Sequence, residues 1–320
     1  MRLLLAFFRL IRWPNLVFIM LTQGLFYFSI IRPTVAASGH LEHIRLSLPL
    51  FFYLMAASVL IAAAGYIIND YFDINIDAVN KPERMVVDRI IYRRYAILWH
   101  GFLSTGGLVL SFYVGWKTNM IVAWGNLLCV GLLWYYSTTL KRRLLSGNLL
   151  IAALTAWTIL VLYTAIHVRI WPITGYSGLP PGVLQQLFKF AVLYGGFAFI
   201  VSLIREVVKD LEDMEGDRRY QCNTMPIVWG IRTSKVFVSV WLIVLGASLL
   251  IIQFYVMYKG WWMSAVYGLV ALVAPVIWIL KQLKQARDTA DYSRLSAAIK
   301  WFMLAGILSQ LFIWYYQHYL

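Results

Sequence analysis

At 320 residues, 61% apolar and only 13% charged, with a mean hydropathy of +0.71, the chain is far from a soluble domain, in which about a quarter of residues carry charge. The formal charge of +14 could suggest a nucleic-acid binder, but the cations fall between long uncharged runs, so membrane topology and attraction to anionic lipid account for them and no nucleic-acid partner is expected. The short alternating segments of a membrane β-barrel are missing, which leaves an all-α polytopic membrane protein.

Nine apolar runs approach the ~20 residues that cross a bilayer as a helix. They lie near 13–31, 48–69, 95–116, 119–136, 148–166, 187–205, 236–257, 261–280 and 298–317. They predict a bundle of nine transmembrane helices forming a single domain over 1–320. The first run follows Arg2, Arg9 and Arg12 and precedes "VAAS", as a signal peptide would. Its apolar stretch is longer than a signal h-region, so it is expected to stay as a helix. With the N-terminus in the cytoplasm, 22 of the 28 Lys and Arg fall on inside segments. The remaining six, Arg32, Arg45, Lys117, Arg169, Lys189 and Lys259, fall outside. Every hairpin then obeys the positive-inside rule. Cys129 lies within a span and Cys222 in an inside loop, so no disulfide is expected. His40 and His43 lack a third metal ligand and read as a solvated pair.

The acids are few and concentrated. Eleven of fourteen sit in 70–88 and 206–217. "NDYFDINIDAVNKPER" (69–84) follows the second run and sets Asp70, Asp73 and Asp77 at i, i+3, i+7. "KDLEDMEGDRR" (209–219) repeats those steps with Asp210, Asp213 and Asp217. On a helix this spacing covers an arc of about 60°, so each trio predicts one acidic stripe of about two turns, exposed at a helix end. Four crossings separate the trios, which places both on one side of the membrane. Asn69 extends the first stripe toward the bilayer with an oxygen that can ligate a metal without adding charge.

Stacked carboxylates beside lipid repel unless a cation neutralises them. Mg²⁺ suits this role, since it prefers oxygen and typically takes one or two carboxylates plus substrate phosphates. A calcium loop over "DINID" (73–77) fails, because Ala78 and Arg84 stand where that loop needs Gly and Glu. Cations crowd the acids: Lys81 and Arg84 follow the first stripe, Arg205, Lys209, Arg218 and Arg219 flank the second, and Lys141 and Arg142 end the fourth run. Acids for a metal interleaved with Lys and Arg suit a metal-bridged polyphosphate. The glycine-rich loop of soluble nucleotide enzymes is absent, which points to a phosphate-bearing lipid. A transporter would place acids within its spans, and the third to ninth runs hold none at mid-depth. A CDP-alcohol phosphotransferase would need an Asp-Gly-x-x-Ala-Arg string, also absent.

The first motif resembles the Asn-Asp-x-x-Asp-x-x-x-Asp signature of the UbiA superfamily of intramembrane prenyltransferases, and "DLEDMEGD" resembles its second aspartate motif. "YYSTTLKRRLLSGN" (135–148) is similar to the family's Tyr…Lys segment, and "RWPN" (12–15) to its opening of span one. Within the superfamily, "REVVKDLEDMEGDRRYQCNTMPIVWG" (205–230) is closest to the archaeal-type digeranylgeranylglyceryl phosphate synthases. Met85, Val86 and Asp88 depart from the family's usual continuation of Lys-Pro-Glu-Arg. The resemblance implies Mg²⁺-dependent transfer of a polyprenyl group, geranylgeranyl in that subfamily, from its diphosphate to a hydrophobic lipid acceptor. It implies an enzyme of the cell's inner membrane with its site on the cytoplasmic face. Asn69, Asp73, Asp213 and Asp217 are then the first choice of metal ligands, with Asp70, Asp77 and Asp210 as ligands or as support for them, and all six aspartates are implied as catalytic. Lys81, Arg84, Lys141, Arg205 and Arg218 are implied for phosphate contact, and Asn15, Tyr136 and Lys209 for substrate binding. Tyr66, Tyr71, Tyr135 and Tyr136 are candidates to shield a carbocation. Transfer to an aromatic acceptor, as in quinone, heme or chlorophyll prenylation, stays open as the alternative, and an ion or lipid transporter as the non-enzyme one.

Overall fold

The computed structural model describes residues 2–166 and 179–319, without the side chains of Arg2 and Arg84. Arg169, one of the six outward cations, lies outside the described residues. Among the described residues nine helices are long and apolar enough to span a membrane. In order they are Trp13–Ala37, Leu48–Phe72, Arg93–Lys117, Met120–Thr138, Ser146–Ile166, Pro181–Glu212, Gly230–Tyr258, Trp262–Gln285 and Thr289–Tyr319, the first to ninth spans below. Each matches a predicted run, and the sixth and ninth reach well beyond theirs. Hydropathy truncates a helix where its terminal turns carry charge. The ninth starts early because Asp288 caps it, its carboxylate accepting the Asp291 N–H at 2.8 Å.

The chain divides into two compact units. The first comprises residues up to Lys141 together with Trp157–Val192. It opens with a helix missed by hydropathy, Arg2–Leu10, which buries Ala6 and Leu10 and exposes Leu3, Leu4, Leu5 and Phe8. Its core joins Leu10 and Leu16 to Ala63, Ala64 and Ile67 of the second span and to Val86, Val87 and Ala96. The small residues of 56–65 serve close helix packing. Gly65 lies against Leu133, and Gly107 against Ile61 and the Ala57 carbonyl. Buried amides tie the spans together: Gln23 Nε2 donates to Ser58 Oγ at 3.0 Å and to the Thr158 carbonyl at 2.8 Å.

The second unit comprises Arg142–Ala156 and the chain from Leu193 onward. Its core gathers Val201, Ile204 and Val208 of the sixth span, Leu242 and Leu245 of the seventh, Val276 and Ile279 of the eighth, and Leu295, Ile299 and Phe302 of the ninth. The sixth and ninth spans run antiparallel, with Tyr194 Oη 3.1 Å from Ser309 Oγ and the rings of Phe197 and Phe302 5.4 Å apart. Among the described residues each unit carries one π-helical stretch, Phe26–Ile31 and Gly268–Val273. Both stand just ahead of a proline, Pro33 and Pro275. A proline ring clashes with the carbonyl four residues back, and the wider π turn relieves that clash without ending the helix.

Candidate active site

The second span stops where the acids begin. Asp73 leaves helical geometry at φ −92° and ψ 0°, and a short helix, Ile74–Asn80, follows. The sixth span does the same at Asp213, φ −97° and ψ 11°, ahead of Met214–Arg219. The straight two-turn stripe expected from the spacing is therefore bent at the middle aspartate of both motifs. Aspartate is a weak helix-interior residue because its short carboxylate competes for backbone donors. The bent aspartate itself stays hydrogen-bonded on both sides of each break. The Asp73 N–H donates to the Asn69 carbonyl at 3.0 Å and the Asp77 N–H to the Asp73 carbonyl at 2.8 Å. The Asp213 N–H donates to the Lys209 carbonyl at 2.8 Å and the Asp217 N–H to the Asp213 carbonyl at 3.2 Å.

In the first unit, Asp73 is the centre of a buried cluster, only 3% exposed. Its Oδ2 accepts from Asn69 Nδ2 at 2.7 Å and from the Lys141 ammonium. Burial works against the Lys141 charge, but Asp73, with Tyr136 and Asp77, outweighs it and holds the lysine above its ordinary range. Asp77 responds the other way: burial, then repulsion from Asp73, pushes its carboxyl up to about 6. Asp70 pairs with Arg12, Nη2 to Oδ1 at 2.7 Å, and the Arg12 guanidinium lies 5.2 Å over the Tyr66 ring. Burial lowers the Arg12 pKa, and Asp70 more than reverses this. These contacts hold Arg12 in the left-handed region, at φ 50° and ψ 51°, uncommon for a residue with a Cβ. Arg93 lies 5.1 Å over Tyr71, so two of the four tyrosines considered for cation shielding already face an arginine. Lys81 is half-buried, its N–H bonded to the Asp77 carbonyl at 2.9 Å. Asn15 is half-buried one turn beyond Arg12, and the Arg84 side chain lies outside the described residues.

In the second unit, Asp217 is 6% exposed, and Asp210 accepts from Asn148 Nδ2 at 2.8 Å. Glu206 Oε1 lies 2.6 Å from Lys209 Nζ and 3.6 Å from Arg205 Nη1. Arg218 is exposed. The expectation of solvent-exposed carboxylates is thus corrected for Asp73 and Asp217. Packing within the protein itself covers both. Spacing also missed Arg12 and Asn148 as partners of the acids. Both sit inside the quoted "RWPN" and "YYSTTLKRRLLSGN" stretches, but their reach to Asp70 and Asp210 is a matter of tertiary packing.

The first cluster fits a hard divalent cation. Asn69 Oδ1 is buried with no hydrogen-bond partner, next to a carboxylate that carries a cation already. Oxygen donors alone suit Mg²⁺. Among the described residues no three His, Cys, Asp or Glu side chains converge as a ready-made metal site. Mg²⁺ held by one or two carboxylates and substrate phosphates does not need one.

Comparison with known proteins follows the same lines. The UbiA prenyltransferase family matches residues 26–307. Digeranylgeranylglyceryl phosphate synthase of Methanothermobacter thermautotrophicus is 32% identical over 282 residues, covering 86% of this chain and 90% of its own. A solved structure from work on digeranylgeranylglyceryl phosphate synthase in membranes superposes with a TM-score of 0.60 at 22% identity, over 97% of this chain and 99% of that one. A UbiA homolog from Archaeoglobus fulgidus, bound to GPP and Mg²⁺, gives 0.57 at 13% identity, over 95% and 99%. The structural likenesses carry the fold, and the sequence matches carry the family. This chain is an integral membrane protein and a member of the UbiA prenyltransferase family.

Proposed function

We propose that the chain transfers a geranylgeranyl group from its diphosphate to a phosphate-bearing lipid alcohol of the geranylgeranylglyceryl phosphate kind, with Mg²⁺ as cofactor and residues 1–320 acting as one catalytic domain. The observation that carries this is the buried Asn69–Asp73–Lys141 cluster: an amide oxygen without a partner, a carboxylate and an ammonium in mutual contact. Such a group offers oxygen to a metal and positive charge to a phosphate at one place. The M. thermautotrophicus relative named above supports the choice of donor and acceptor.

Bound Mg²⁺ would supply charge neutralisation of the departing diphosphate. In the first unit Asn69, Asp73 and Asp77 would be the residues to hold Mg²⁺, and in the second Asp210, Asp213 and Asp217. Lys141, Lys81 and Arg84 contact the diphosphate oxygens, so negative charge that grows as the allylic C–O bond breaks meets positive charge already in place. Asp70, held by Arg12, keeps the break after the second span in position. Tyr136, beside Lys141, and Asn15 border the prenyl group, while Arg205, Lys209 and Arg218 serve the second substrate. The allylic C–O bond breaks with its electron pair going to the diphosphate, the allylic carbon bonds to the acceptor oxygen, and the hydroxyl proton passes to the released diphosphate. The basic-residue bias puts this chemistry on the cytoplasmic face of the cell membrane.

The test is transfer by purified protein from labelled geranylgeranyl diphosphate to a panel of acceptors. Product is expected with geranylgeranylglyceryl phosphate, lost with EDTA and restored by Mg²⁺. Transfer only to an uncharged aromatic acceptor would overturn the assignment in favour of quinone- or chlorophyll-type prenylation.

A further inference from the structure

The chain entering the fifth span is held in a conformation its residues do not favour. Leu145 has φ 57°, in the left-handed region, where a bulky side chain is an outlier. The Ser146 N–H turns back to the Leu144 carbonyl at 2.6 Å, and the span starts at Ser146. Such a backbone persists only where its surroundings over-determine it, and positions of this kind gather at functional sites. Three contacts within the second unit fix it here. The Arg142 carbonyl accepts the Asn223 N–H at 2.8 Å, which ties the turn to the loop after the second aspartate motif. Leu144 and Leu145 pack against the core that contains Val208 and Leu211. Asn148, in the first turn of the span and only 8% exposed, donates from Nδ2 to Asp210 Oδ2 at 2.8 Å.

The kind of partner matters. In the first unit Asp73 and Asp70 are each met by a cation, Lys141 and Arg12. The hydrogen bond that holds Asp210 comes instead from an amide, in a stretch, 206–217, that carries five other acids. An ammonium or guanidinium competes with a metal for the charge of a carboxylate, whereas an amide N–H fixes its direction and adds no charge. The pairing repeats across two spans what Asn69 does within one, where Nδ2 donates to Asp73 Oδ2 at 2.7 Å. Hydrogen-bond partners of this sort orient metal-ligating carboxylates and are worth about 10–100-fold in metal affinity.

We infer that Asn148 is a positioning residue for Asp210: it turns the carboxylate toward a divalent cation held by the second aspartate motif and leaves its charge to that cation. This rests on the Mg²⁺-dependent reading above. The strained turn at Leu145 serves to deliver the amide to that place.

The test follows Mg²⁺ rather than turnover. Full-length protein in detergent is titrated with Mg²⁺ in the presence of labelled geranylgeranyl diphosphate and no acceptor. Bound diphosphate and melting temperature are both measured. Asn148→Leu keeps the side-chain volume and removes the donor. Its Mg²⁺ concentration for half-maximal binding should rise about tenfold, with binding recovered at saturating Mg²⁺. Asp210→Asn should raise the same midpoint, and adding Asn148→Leu to it should shift the midpoint by less than about twofold, because the effect runs through Asp210. A wild-type midpoint in Asn148→Leu, with only a lower melting temperature, overturns the inference. So does a shift that adds in full to that of Asp210→Asn. If Asn148→Leu does not fold, Asn148→Ser, whose hydroxyl is too short to reach Asp210, takes its place and is read the same way. Diphosphate binding by wild type that needs no Mg²⁺ overturns instead the metal-dependent reading on which the inference rests.

Discussion

Lys141 and Asp73 show how a sequence-level metal ligand acquires a structural duty. The carboxylate is nearly inaccessible and Lys141 is its close partner, 27% exposed at the side chain. Asp73→Asn should abolish turnover, and it should also strip the ammonium of its counter-charge. Breaking a fully buried pair costs roughly 3–5 kcal/mol, and the partial exposure of Lys141 reduces this to about 1–3 kcal/mol. Lys141→Met should lose activity too, yet it frees Asp73 for a metal. Mg²⁺ without substrate should therefore raise the melting temperature of Lys141→Met more than that of wild type. An equal Mg²⁺ response in both would show that Lys141 does not compete for Asp73. The aspartates were legible in the sequence because eleven of fourteen acids cluster in a chain so poor in charge. Their burial was not legible, nor were Arg12 and Asn148 as partners, because each contact joins residues about 60 positions apart.

At the scale of elements, apolar run length was enough to locate all nine spans, but not their ends or internal irregularities. The second π stretch could have been inferred from Pro275 inside an apolar run, a local signal that hydropathy averages away, whereas Pro33 lies just past the end of the first run. The breaks at Asp73 and Asp213 carry no such mark, since neither position nor the residue on either side of it is a proline or glycine. Glycine divides in the same way. Gly106 and Gly107 are adjacent in the third span and alike in sequence, but a Cβ on Gly107 would stand 2.7 Å from Ile61 Cγ1 and 3.2 Å from the Ala57 carbonyl oxygen. On Gly106 it would meet only Leu60, at an ordinary 3.7 Å. Gly107→Ala should destabilise by about 1–3 kcal/mol through overpacking against backbone. Gly106→Ala should be neutral or stabilising by up to about 1 kcal/mol, the helix preference of alanine over glycine. Thermal melting of the two variants in one detergent checks this, and equal effects would reject the close approach of the second and third spans.

For the whole molecule, the property that matters is which ends of the spans meet the cytoplasm, because a diphosphate carries too much charge to cross the bilayer to the proposed site unaided. The bias of 22 inward to six outward cations predicts the N-terminus and the loop at Ser146 on the inside. Three spans separate Ser146 from Gly260, the fifth, sixth and seventh. An odd number of crossings reverses the face, so Gly260 belongs outside. Its surroundings agree: Tyr255, Tyr258 and Trp262 are exposed beside a single Lys259, the aromatic-rich and cation-poor composition of an outer interface. Reporter fusions after Ser146 and Gly260 should accordingly light up on opposite faces, cytoplasmic for the first and external for the second. Both on one face would remove a crossing between them, and the nine-span topology would fail. The reverse assignment, with Ser146 outside, would preserve the nine spans but place the loop after Lys141 away from the cytoplasmic donor, so the proposed cytoplasmic site would fail instead.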